Sequence, residues 1–405
     1  MKYDFDKVYE RSNTNSAKWD MTSELFGCED IISMWVADMD FPTARQIVDA
    51  LKERASYPFY GYTVPGKGLV QAIVERMQRK YNWEIQPEWI VFTAGVIPAI
   101  SIALKAITHP GDEVVIQEPV YHPFFSIIKS SGCHIASNQL RLTGNHYDMD
   151  FDNLEACFKP KLGMQSKASR VKAILLCNPH NPIGRVWGKQ ELMRLGNIAI
   201  SHGATVISDE IHGELVYKSH QHIPFATLSE EFEQNSIVCM APSKTFSLAG
   251  LHASSIIIPN EKLRKSVQET SSGYSSPNLF GYTAMEAAYR YGDEWLEQVL
   301  NYLEDNRGFA FEYLSKNVER ITPIELQGTY LLWLDCRKLG LDDMTLRDFI
   351  RNRAGLDLND GFLFGKGGSG FQRMNIACPR SVLESALKRL KEAVDSLQIN
   401  VQRIS

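Results

Sequence analysis

The chain lacks any apolar run near the roughly 18 residues needed to cross a bilayer, so no helical membrane span is expected from its sequence. It also lacks an excess of positive charge. The net charge is −5, with Lys and Arg scattered along the chain, which argues against nucleic acid or an anionic membrane surface as the main partner. There is no Cys-x-x-Cys pair: the seven cysteines (Cys28, Cys133, Cys157, Cys177, Cys239, Cys336 and Cys378) stand singly. An odd, scattered set reads as reduced thiols rather than a disulfide or zinc framework. The opening residues Met1, Lys2, Tyr3, Asp4, Phe5 and Asp6 put charges where a secretory leader needs an apolar core, so a cytoplasmic location is the expectation. No internal repeat or low-complexity tract interrupts the chain.

At 405 residues, with 44% hydrophobic and 22% charged side chains, the chain has the composition of a globular protein and is long for one core. Residues 1–45 read as an N-terminal arm together with part of a small domain. Residues 46–290 alternate short apolar strands with helices, as in a mostly parallel sheet covered by helices. Residues 291–405 change to a long amphipathic helix, a strand near 329–334 and a closing helix at 381–397, a smaller α+β domain.

The chemistry gathers in three segments. Asn178-Pro179-His180-Asn181-Pro182-Ile183-Gly184-Arg185 follows an apolar run at 171–177. Asp209-Glu210-Ile211-His212 follows another at 204–208, and Lys244 stands just beyond a third at 236–240. A lone Lys after a strand is ordinarily a solvated surface residue. An Asn, an Asp and a Lys, each past the end of its own strand, can converge at one edge of a parallel sheet, where open α/β folds bind ligands. Those residue types suit pyridoxal phosphate. The Lys244 amine can condense with the cofactor aldehyde, a buried Asp209 carboxylate can keep the pyridine nitrogen protonated, and the Asn181 amide can donate to the ring oxygen. The strand–Gly–helix junction at Thr93-Ala94-Gly95-Val96-Ile97 offers free amides to a phosphate, with Val96 and Ile97 as donors.

Two other features invite different readings. The Gly365–Gly370 run lacks a preceding strand and a prompt following helix, so a loop near Arg373 is expected rather than a nucleotide-binding turn. His122, His180, His212 and His252 lie beside the motifs but lack metal-ligand spacing. They are expected as polar neighbours of a cofactor pocket, with no metal.

These motifs resemble the class I/II aminotransferase superfamily of fold-type I pyridoxal phosphate enzymes. More narrowly, Asn15-Ser16-Ala17-Lys18-Trp19-Asp20, Trp35-Val36-Ala37-Asp38-Met39-Asp40-Phe41, Tyr60-Gly61-Tyr62 and residues 241–250 resemble its MalY/PatB-type cystathionine β-lyase (cysteine-S-conjugate β-lyase) branch. The resemblance implies a sheet of the seven-stranded type and a homodimer with shared active sites. It assigns Tyr121 to stacking on the cofactor ring and to sharing proton transfer with Lys244. Tyr62 would reach the phosphate and substrate of the neighbouring subunit, Arg373 would take the substrate α-carboxylate together with Asn181, and Ala37 would line the substrate position. His252 stands where many aminotransferases carry an Arg that clamps the phosphate, and Ala241 where many carry a Ser. The phosphate is therefore expected to lean on Val96, Ile97, Ser243 and a neighbour's Tyr62. The implied activity is α,β-elimination from cystathionine or cysteine-type S-conjugates to a thiol, pyruvate and ammonia. An aminotransferase would share every catalytic residue, and a regulatory binding protein on the same fold is the alternative of another class.

Overall fold

A computed structural model describes residues 1–21, 31–159 and 170–402, with side chains to 397. Cys28 and part of the expected arm, residues 22–30, lie outside the described residues. Seven strands form the main sheet: β1 (Ile90–Thr93), β2 (Glu113–Glu118), β3 (His134–Gln139), β4 (Val171–Cys177), β5 (Thr205–Asp209), β6 (Ser236–Met240) and β7 (Ser254–Ile257). Their spatial order is β1-β7-β6-β5-β4-β2-β3. Pairing is parallel from β6 across to β3, whereas β7 runs antiparallel to both of its neighbours.

The inner strands of the sheet are buried on both faces, which is why they read as continuous apolar runs rather than as alternating patterns. Within β4, Ala173, Leu175 and Cys177 join the cluster formed with helix α1 (Val96–Ile107). Ile174 and Leu176 turn the other way, towards Trp187, Leu192 and Leu195. Register then brings the strand ends level: Cys177 pairs with Asp209, and Asp209 with Cys239.

Helix α2 (Asp293–Asn317) leads to a four-stranded antiparallel sheet, and helix α3 (Arg380–Gln402) follows it. That sheet comprises β8 (Thr322–Pro323), β9 (Leu331–Asp335), β10 (Asn359–Asp360) and β11 (Phe371–Asn375), ordered β8-β9-β11-β10. Arg373 on β11 is opposite Trp333 on β9 and Asn359 on β10. The Gly365–Gly370 segment is a loop, as expected, and it is tied down: Lys366 N–H donates to Glu118 at 2.6 Å, and Val120 N–H to Phe364 O at 2.9 Å. Among the described residues no helix is long and apolar enough to cross a membrane.

Candidate active site

The carboxyl ends of β4, β5 and β6 open into a cavity of about 440 Å³. Its walls bring together Ala37, Val96, Ile97, Tyr121, Asn181, Asp209 and Lys244, seven of the residues singled out in the sequence. His212 and His252 also line it, while His122 and His180 do not. His180 is instead buried, with Nε2 2.9 Å from Pro119 O. Cys177 and Ile211 are also on the walls. They went unread because an apolar residue at a strand end carries no signal beyond the core pattern.

Lys244 sits in a short turn of helix (Pro242–Thr245) that Pro242 starts immediately after β6. The side chain is half-buried, and Nζ donates to Ala37 O at 2.7 Å. Burial pulls the amine down to about 8; Arg373 acts in the same direction, and Asp38 and Asp209 oppose it. Burial also pushes the Asp209 carboxyl up to about 7. Among the described residues that carboxylate accepts one hydrogen bond, from Ile211 N–H at 3.2 Å. A buried carboxylate without a bonded cation is costly. It is the arrangement a protonated ring nitrogen would relieve.

Asn181 and Arg373 form one unit. Nη1 of Arg373 donates to Asn181 Oδ1 at 2.9 Å, and Nη2 donates to Trp35 O at 2.8 Å and to Asn359 Oδ1. With its oxygen engaged, the Asn181 amide has its NH₂ left to donate. Arg373 does not itself line the cavity, but its buried Nε–H has no partner among the described residues. Burial lowers the guanidinium to about 10. A substrate carboxylate would satisfy both its charge and its free donor.

Also lining the cavity, Gly95 caps α1 with φ 132 and ψ 161, a region essentially reserved for glycine. Its N–H donates to Ser254 Oγ at 3.1 Å, and Ala99 N–H takes Gly95 O at 3.1 Å. Pro98 has no N–H, so the helix-end donors that remain are the amides of Val96 and Ile97, both on the cavity wall. Tyr121 is half-buried beside them, and burial raises its hydroxyl pKa. Buried His212 is driven down to about 3 by burial and by the charges of Lys244 and Arg373. It is therefore neutral, and its Nδ1 has no partner among the described residues.

Besides Arg373, two further expected site residues are not on the cavity wall. Ser243 is half-buried in the lysine turn without lining the cavity, and Tyr62 is fully exposed on its loop. The amine, the isolated carboxylate and the helix-end amides fit a group carrying an aldehyde, a ring cation and a phosphate.

Residues 29–390 match the family described as aminotransferase class I and II, and the chain belongs to that family. It is 42% identical over 392 residues to the cystathionine β-lyase PatB of Bacillus subtilis, covering 96% of this chain and 99% of that protein. Cystalysin from Treponema denticola, whose crystal structure contains pyridoxal 5'-phosphate, superposes with a TM-score of 0.93 at 34% identity, covering 98% of this chain and all of the other. A pyridoxal phosphate-bound putative aminotransferase from Clostridium difficile superposes at 0.92 with 43% identity, covering 97% of this chain and all of the other. The fold is thus that of fold-type I pyridoxal phosphate-dependent transferases.

Proposed function

We propose that the chain is a pyridoxal phosphate-dependent carbon–sulfur β-lyase acting on cystathionine or cysteine-type S-conjugates. The observation that carries this reading is one cavity lined by the half-buried Lys244, Asp209 with no cation bonded to its carboxylate among the described residues, and Asn181, to which Arg373 is hydrogen-bonded from outside the wall. The names of the relatives supply the sulfur chemistry. When bound, the cofactor acts as an electron sink that makes the substrate Cα–H acidic and lets a Cβ–S bond break.

The rest falls to the chain. Lys244 would hold the cofactor through its amine, and the same amine, when free, would take the substrate Cα proton; an amine near 8 is a competent base close to neutral pH. Asp209 would keep the ring nitrogen protonated. Arg373 and Asn181 orient the substrate carboxylate, and Tyr121 would pack against the cofactor. Tyr121 or Lys244 returns a proton to the departing thiolate. Val96 and Ile97 amides take the phosphate, with Ser243 and a neighbour's Tyr62. We further assign residues 46–290 to the cofactor-binding domain and residues 291–405 to the smaller one.

A homodimer follows from the same reading. Tyr57, Phe59, Tyr60, Tyr62 and Val64 are all exposed large apolar side chains, a patch that a second copy would cover. Cys133, Cys177, Cys239, Cys336 and Cys378 are free thiols among the described residues, in keeping with a reducing cytoplasm.

Incubation of the cofactor-loaded protein with L-cystathionine and with L-cysteine tests the activity. Pyruvate with a stoichiometric thiol or sulfide is expected. Amino transfer to an added 2-oxo acid without pyruvate would favour the aminotransferase reading instead. Gly95→Ala should weaken cofactor affinity by roughly tenfold, because a Cβ at φ 132 costs on the order of 1–3 kcal/mol or moves the helix end. Cofactor titration by fluorescence quenching measures this, and unchanged affinity would remove the phosphate from that junction.

A further inference from the structure

Lys244 and Arg373 lie far apart in sequence, yet both rest on one short stretch of backbone. Trp35 O accepts from Arg373 Nη2 at 2.8 Å, and Ala37 O accepts from Lys244 Nζ at 2.7 Å and from Tyr330 Oη at 3.1 Å. The position of these two carbonyls therefore sets where the amine and the guanidinium stand. The stretch from 34 to 40 belongs to neither helix nor strand. Something else must fix it.

From the protein interior, Asn375 Nδ2 donates to Val36 O at 2.7 Å and to Asp38 O at 2.8 Å. From the other side comes the segment 11–20. Arg11 Nη2 donates to Asp38 at 2.7 Å, and Nη1 to Asp40 at 2.8 Å and to Met39 O at 3.1 Å. Lys18 Nζ, on a side chain only 1% exposed, donates to Asp40 at 2.6 Å and to Asp38 O at 3.1 Å. Trp19 Nε1 adds a bond to Asp40 at 3.0 Å. Asp20 shapes the segment by accepting the amides of Asn13, Thr14 and Ser16 at 2.7, 3.1 and 2.8 Å. Asp38 also accepts from Ser247 Oγ at 3.2 Å, three residues beyond Lys244. The segment thus reaches the lysine-bearing turn through a second route.

We infer that residues 11–20 are a positioning clamp. Arg11 and Lys18, acting through Asp38 and Asp40, hold the Trp35 and Ala37 carbonyls where Lys244 and Arg373 can work. The clamp gives a purpose to two sequence features that the chemistry left unused, the Asn15–Asp20 motif and the two aspartates of the Trp35–Phe41 motif. Arg11 touches no reacting atom; it is a positioning residue. This inference rests on the catalytic roles proposed for Lys244 and Arg373.

Arg11 suits the test because its side chain is 26% exposed, and partly solvated ion pairs contribute little to stability. A purely structural pair predicts a small melting change and nothing more. Cofactor-loaded Arg11→Ala, Arg11→Lys and wild-type protein are compared for kcat, KM, cofactor content, melting temperature and visible circular dichroism of the bound cofactor at one pH. We expect Arg11→Ala to lose about tenfold in kcat/KM, mainly in kcat, with a changed dichroic band and full cofactor content. Arg11→Lys should recover part of the loss. Kinetics and dichroism within twofold of wild type in Arg11→Ala overturn the clamp, as does a loss explained wholly by missing cofactor. If wild type itself releases no pyruvate, the proposed activity fails, and the dichroic band alone decides whether the clamp positions Lys244.

Discussion

Lys244→Ala is expected to abolish the yellow absorbance of the lysine-bound cofactor and to cut pyruvate release from L-cystathionine by at least about 10³-fold. Two functions leave together, the covalent hold and the base that takes the Cα proton, and a positioned base alone contributes about 10²–10⁴-fold. The chain should still fold. Among the described residues the side chain makes one hydrogen bond, to Ala37 O, and burial already disfavours its charge. A melting temperature within a few degrees of wild type would separate lost chemistry from lost structure. Activity near wild type in that variant would contradict the assignment.

Asp209→Asn has opposite expected effects with and without cofactor. In the empty protein the folded pKa of about 7 lies above the ordinary 3.8, so the folded chain holds the proton more tightly than the unfolded chain does. Below about pH 4 both states are protonated and stability is full. As pH rises towards 7 the unfolded chain ionises first, and a few kcal/mol of stability are lost. Asparagine does not titrate. The cofactor-free variant should therefore melt a few degrees higher than cofactor-free wild type at pH 8, and the gap should close by pH 4. With cofactor bound the order reverses, because the carboxylate then faces a ring cation that asparagine cannot pair. Turnover should fall by at least about 10²-fold. Melting curves at several pH values, with and without cofactor, measure both arms. A variant as active as wild type would remove Asp209 from the ring nitrogen.

Much of the site could be read from the chain because its key residues follow directly on apolar strands. The expected runs at 171–177 and 236–240 coincide with β4 and β6. The run at 204–208 is displaced by one residue, because Asp209 itself pairs with Cys177 and Cys239 at the strand end. The edge strand β3 was not legible: His134-Ile135-Ala136-Ser137-Asn138-Gln139 is too polar to stand out, and pairing with β2 makes it a strand. The reversal of β7 was equally hidden, since an apolar run carries no direction. Pairing of Ile32–Ser33 with Leu356–Asp357 joins segments too distant for any local pattern to link. Arg373 was located through family resemblance, not periodicity. Its setting, with Asn181 on one side and Trp35 O on the other, is a tertiary fact. The same holds for Ala37, whose contribution here is a backbone carbonyl that no side-chain pattern reveals. Tyr62 is the reverse case, read from a motif yet left in solvent by a single chain.

The most direct test of this account reduces the cofactor-loaded protein with borohydride and maps its peptides by mass spectrometry. A single pyridoxyl adduct at Lys244 is the result the account predicts. An unmodified Lys244, with the adduct on another lysine or on none, would contradict it.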